Sequence, residues 1–147
     1  MASRSLAKLP IYPPGVQSAV DYAAAVVAGE IDAGHLVHLT CERFRRDIEE
    51  RVWEFRAELA EDAMDFAGQM PNIKGLEAGH ALRLMPWQRL VFANLFGFVE
   101  PGTSTRRFRQ GVVFVPRGNG KTTFAAPLAL YMTFLCGRAA RRGMPRR

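Results

Sequence analysis

Residues 111–131 read "GVVFVPRGNGKTTFAAPLALY". The segment "GVVFV" is a run of β-branched and aromatic residues bounded by Gly111 and Pro116, which suits a buried strand. The following "KTTFAAPLALYMTFL" is apolar and continues as a helix, with a kink expected at Pro127. Between the two, Gly118 and Gly120 let the backbone take positive φ and come close to an anion. Successive N–H groups of such a loop, together with the N-terminus of the next helix, form an anion nest. "GNGK" is also ordinary turn composition. The strand–loop–helix frame is what favours the phosphate reading.

A strict phosphate loop reads G-x-x-x-x-G-K-[ST]. Gly120, Lys121 and Thr122 fit that pattern, but Val115 stands where the first glycine belongs. The working parts are nevertheless present. Gly118, Asn119, Gly120, Lys121, Thr122 and Thr123 are the expected nucleotide-binding residues. Lys121 would reach the β- and γ-phosphates of ATP, and the Thr122 hydroxyl would be the protein ligand to Mg²⁺. Pro116 supplies no N–H, and Arg117 adds a cation beside the phosphates.

The whole chain has 147 residues, 48% of them apolar and 23% charged, the balance of a globular domain. Charge is divided unevenly. Residues 1–100 hold ten Lys and Arg against fourteen Asp and Glu, whereas residues 101–147 hold ten Lys and Arg and no carboxylate. A basic half attracts phosphate, nucleic acid or an acidic partner. The N-terminus has no apolar signal-like run. The most apolar window, "TTFAAPLALYMTFLC", spans 15 residues and contains a proline, too short for a membrane span of about 20. Cys41 and Cys136 show no pairing pattern, so a reduced cytoplasmic setting without a membrane is expected.

Four regions are expected. Residues 1–15, with three prolines and a glycine, read as an extended arm. Residues 16–80 read as a helical segment, with one helix over "VQSAVDYAAAVVA" ending at Gly29. In its second helix, Phe44, Ile48, Val52, Phe55 and Leu59 recur three or four apart on one face, opposite Arg43, Arg46, Glu49, Glu50 and Glu54. A shorter helix follows over "EDAMDFAGQM". Residues 81–136 would start the nucleotide-binding domain, with a helix beginning at Pro86. Residues 137–147, "GRAARRGMPRR", read as a disordered basic tail.

A second signal lies upstream of the loop. "PWQ" precedes an amphipathic helix ending in "NLFGF", and "TRRFR" leads into the strand, "PRGNGKTT" and an "ALY" helix. In this order the features resemble the start of the ATPase domain of tailed-bacteriophage terminase large subunits, the DNA-packaging motors, which share the departure from the strict loop. "YAAAVVAGEIDAGHLVHLTCERFRRDIE" resembles the helical lead-in of the same family, so the likeness covers roughly residues 17–135. The resemblance implies a P-loop α/β domain of which this chain holds the first strand–loop–helix unit. It further implies Gln88 as the adenine-reading amide, Trp87 beside the base, and Arg117 with Lys121 as catalytic cations at the γ-phosphate. Double-stranded DNA, a terminase small subunit and a portal protein are the implied partners, with homo-oligomerisation in the full-length motor. Arg106, Arg107 and Arg109 would face DNA or a neighbouring subunit, or form a solvated turn.

Hydrolysis in this family also needs an aspartate closing a second strand and a carboxylate that positions water. Both lie many tens of residues beyond the loop, and a nuclease domain lies beyond them, whereas this chain has no carboxylate after Glu100. The expectation is therefore an N-terminal fragment that binds nucleotide without hydrolysing it. The arginine-rich end reads as out-of-frame translation of GC-rich DNA would. Two other readings are a small basic nucleic-acid-binding protein and a non-functional prophage remnant. His35, His38 and Cys41 share a helix at three-residue spacing but lack the fourth ligand of a structural zinc site. The acidic residues between 42 and 65 read as a solvent face.

Overall fold

The computed structural model describes residues 11–72 and 78–135. Expectations for residues 1–10, 73–77 and 136–147, including most of the arm and the basic tail, fall outside these. The described chain is mainly helical, with one two-stranded antiparallel ladder.

Helix α1 (Pro14–Val27) begins on a proline, whose fixed φ and missing N–H cost nothing in a first turn. Val16, Ala19, Val20, Ala23 and Val26 recur three or four apart and are buried together. No neighbouring side chain caps this helix. Instead the Glu61 carboxylate, from a later helix, accepts hydrogen bonds from the N–H groups of Gly15 and Val16, each at 2.8 Å. A carboxylate there satisfies two orphan donors and complements the positive end of the helix dipole. The predicted stop at Gly29 stands, with φ of 78°.

Helix α2 (His35–Glu50) is shorter than its periodicity suggests. Arg51 turns left-handed at φ 53° and Val52 is 67% exposed. Strand β1 (Glu54–Phe55) and helix α3 (Ala57–Gly68) follow. The expected single face from Phe44 to Leu59 is thus corrected to a helix, a break, a strand and a second helix. The cause is tertiary. Phe55 pairs with Phe98 across the ladder, with ring centroids 4.8 Å apart, and meets Phe44 at 5.9 Å and Tyr12 at 5.7 Å. Burying that ring outweighs the few tenths of a kcal/mol per residue by which helix propensities differ.

Helix α4 (Pro86–Phe92) starts at the predicted proline. One π-helical turn (Ala93–Gly97) then leads into strand β2 (Phe98–Val99), which pairs Phe98 with Phe55 and Val99 with Glu54. Gly97 lies against the Phe55 ring, where a Cβ would overlap Cε2. Helix α5 (Lys121–Phe134) carries Pro127 inside it. It rests on the core through Phe124, which meets Phe92 at 5.6 Å, and Tyr131, which meets Phe96 at 5.1 Å and Phe66 at 5.7 Å.

The strand expected at 111–115 is not formed. Val112 is 79% exposed and Phe114 92% exposed. A strand exists only through a partner's hydrogen bonds, and no described strand runs beside this segment. The described residues are mostly helical with a small antiparallel ladder, compatible with the expected α/β class of mostly helical content, while the strand before the loop is not formed.

Two substitutions test these contacts by urea denaturation. Glu61→Ala should cost about 1–2 kcal/mol through loss of the α1 cap. Gly97→Ala should cost about 1–3 kcal/mol through overpacking against Phe55. Wild-type midpoints in both would refute the placement of α1 on α3 and of the π turn on β1.

Candidate functional site

The loop before α5 has the backbone that its glycines allow. Gly118 has φ of 92° and Gly120 φ of 65°, and neither position has any atom within 4 Å of a built Cβ. Residues other than glycine are strained at such φ, so the composition suits the conformation. Gly120 ends the loop as the N-cap of α5, with no side chain capping it. The first intrahelical bond runs from the Phe124 N–H to the Gly120 carbonyl at 2.9 Å. The N–H groups of Lys121, Thr122 and Thr123 come before it, at the positive end of a 14-residue helix.

Lys121 folds back over this opening. Its Nζ donates to the carbonyl oxygens of Val115 at 2.7 Å and Pro116 at 3.1 Å. Asn119 Nδ2 donates to the Pro116 carbonyl at 3.4 Å. Among the described residues neither Arg117 nor Lys121 forms an ion pair, and both are exposed. Thr122 is exposed and Thr123 half-buried at the same helix end. The predicted loop residues are therefore brought together around one exposed, cationic helix N-terminus. These donors suit a phosphate: open N–H groups, an ammonium held only by exchangeable carbonyl contacts, and a hydroxyl close by.

Gln88 is placed differently. It is buried, and its Oε1 accepts from the Met85 N–H at 2.8 Å, closing the first turn of α4. In this arrangement its amide oxygen serves the helix start rather than a base. Trp87 packs on Phe124 with ring centroids 5.7 Å apart, which sets the start of α4 against the first turn of α5. The Trp87 ring thus supports the helix that follows the loop.

The basic lead-in to the loop faces inward, contrary to its reading as a DNA-facing or solvated turn. Arg107 Nη1 lies 2.6 Å from Asp47 Oδ2, in an ion pair that lacks hydrogen-bond alignment. The Arg107 guanidinium also lies 4.7 Å from the Phe108 centroid and 5.0 Å from that of Trp53. Arg43 approaches the same Phe108 ring at 4.7 Å and donates to Asn94 Oδ1 at 2.9 Å. Burial pulls the Arg43 guanidinium below its ordinary pKa, and the Asp47 carboxylate opposes that. Arg106 lies 5.5 Å over the Phe96 ring, while Arg109 is exposed. A guanidinium fork keeps its charge while stacking on apolar rings, so these side chains fasten the lead-in to α2.

Asp47 and Glu61 are the two carboxylates that the solvent-face reading misplaced. Asp47 stands three residues after Phe44, on the buried side of α2, so the helical period carried a signal for it. Glu61 bonds to backbone more than forty residues away, and no local pattern marks it. On the same helix as Asp47, Cys41 turns into the core while His35 is exposed and His38 sits 3.6 Å from Glu42. Among the described residues no group of three or more His, Cys, Asp and Glu side chains could hold a metal ion.

Residues 86–145 match the family described as terminase large subunit, ATPase domain. The matched stretch contains α4, the Arg-rich lead-in, the loop and α5. The match runs to residue 145, into the arginine-rich segment that reads as foreign to the domain. No curated protein and no solved structure matches the chain. No described helix is long and apolar enough to cross a membrane.

Burial pushes the Cys41 thiol up to about 11. A thiol raised above its unfolded value favours the folded state most below the unfolded pKa, and that contribution is lost as pH rises through about 11. In a Cys136→Ser background, iodoacetamide at pH 8 should leave Cys41 unlabelled in the native chain and label it in urea. Native labelling at the urea rate would place Cys41 outside the core.

Proposed function

We propose that the chain is the nucleotide-binding start of a phage DNA-packaging ATPase. The observation that carries this reading is the open N-terminus of α5 beneath two positive-φ glycines, with Lys121 held by loop carbonyls, inside a stretch that matches the terminase ATPase domain. The N–H groups of Lys121, Thr122 and Thr123, with Gly118, Asn119 and Gly120, cradle the phosphates of ATP. Lys121 exchanges the Val115 and Pro116 carbonyls for phosphate oxygens, a stronger charge-assisted pairing. The Thr122 hydroxyl would be the protein's ligand to Mg²⁺, and the Arg117 guanidinium fork would serve the outermost phosphate. Bound Mg-ATP supplies the phosphoryl group; these side chains supply orientation and countercharge.

Water activation is a separate requirement. Residues 101–147 hold no carboxylate, so the group that positions attacking water is not among them, and their part is to bind and orient the nucleotide. Gln88 reads adenine only if its oxygen leaves the Met85 N–H. Double-stranded DNA, a small subunit, a portal protein and further copies of the motor are the proposed partners, in the cytoplasm of a bacterial host. The rival reading, a basic nucleic-acid-binding protein, draws on the exposed Arg109, Arg117 and Lys121.

Equilibrium binding of a fluorescent ATP analogue with Mg²⁺ separates the two readings. Lys121→Ala should weaken nucleotide binding by at least about tenfold, the scale of one lost charge-assisted contact. Full affinity in Lys121→Ala, or DNA binding that persists in that variant and falls steeply with salt, would favour the nucleic-acid reading instead.

A further inference from the structure

The span over α1 and the start of α2 has the reverse electrostatics. Residues 11–42 contain four carboxylates, Asp21, Glu30, Asp32 and Glu42, and no Lys or Arg. All four are exposed. The next residue, Arg43, turns its guanidinium inward to Asn94 and Phe108. In this same span the α1–α2 corner leaves large apolar side chains in solvent. Leu36 is 75% exposed, Leu39 45%, Val37 39% and Ile31 38%. Ile31 also lines a groove of about 440 Å³ together with Gln17, Asp21, Tyr22 and Ala25 of α1 and Pro86 of α4. Ile31 and Asp21 thus place an apolar and an acidic side chain on one groove, and Glu30 and Asp32 flank Ile31 in the chain.

The geometry points to a docking face for a cationic amphipathic helix of a protein partner. Charge complementarity selects this occupant. Four carboxylates with no Lys or Arg among them repel nucleic acid and anionic lipid, and they attract Lys and Arg placed beside an apolar stripe. The secondary structure selects a helix over a strand. The groove is lined by α1, Ile31 of the α1–α2 connection and Pro86 of α4, with no strand edge for β-addition, and an apolar groove beside carboxylates suits an amphipathic helix with cationic flanks. Ile31, Leu36 and Leu39 offer the apolar contacts, and the carboxylates set the register through longer-range attraction.

The test uses the full chain and a fluorescein-labelled helical peptide of about 14 residues, with leucines at i, i+3, i+4 and i+7 and lysines elsewhere. Fluorescence anisotropy should show saturable binding that weakens with salt. A glutamate-for-lysine peptide and a scrambled peptide should bind at least about tenfold less tightly, a difference of 1.4 kcal/mol. Leu36→Ser and Asp32→Lys lie on exposed positions and should each weaken the lysine peptide while leaving the helical circular dichroism unchanged. The inference is overturned if neither variant changes the affinity, or if the scrambled peptide binds equally. It is also overturned if the peptide binds only after residues 137–147 are removed, which would make that basic segment the occupant. A dimer that Leu36→Ser dissociates would make the occupant a second copy and would overturn it equally.

Discussion

Phe98 is the point on which the described structure turns. It is fully buried, and its ring meets Phe44 from α2, Phe55 from β1 and Phe108 from the lead-in to the loop. Its backbone pairs with Phe55, and its carbonyl accepts from the Arg107 N–H at 3.0 Å. One residue thereby joins the N-terminal helices, the α4 unit and the basic lead-in. A two-residue ladder has little stability by itself. Here it holds because the buried Phe98 ring and the half-buried Phe55 ring pack on Phe44 of α2, and such rings remove a large apolar area from water.

The lead-in depends on this anchor. Arg106 bridges to Val99, Arg107 reaches Asp47, and Phe108 is held between two guanidinium groups. From Arg109 onward the backbone leaves the core, and the apolar residues of 112–114 stand in solvent until α5 returns through Phe124. The phosphate loop is thus suspended between two fixed points. Its own geometry needs only local rules, which is why it is complete while the strand beside it is not. A helix N-terminus closes its hydrogen bonds within the chain, whereas a strand needs a neighbour.

The charge distribution follows the same division. The acidic α1–α2 corner and the cationic loop lie at opposite ends of the sequence, each with exposed charge. The buried charges do a different task. Asp47 and Glu61 tie segments to each other, Asp47 through Arg107 and Glu61 through the start of α1. In a small mostly helical unit, two such ties across long sequence separations decide how helices of similar amphipathicity are placed.

Several features were legible in the residues alone. Pro14 and Pro86 start helices because a fixed φ suits a first turn, and Gly29, Gly118 and Gly120 take positive φ because they lack a Cβ. The order of "PWQ", "TRRFR" and "PRGNGKTT" carried the family that residues 86–145 match. These are local properties, and local sequence determines them. Tertiary structure alone decided that the helical period stops at Arg51, that Gln88 closes its own helix, that Arg107 turns inward, and that 111–115 has no partner. Each of these outcomes depends on which distant group fills a cavity, meets a charge or completes a hydrogen bond, and spacing along one chain does not contain that information.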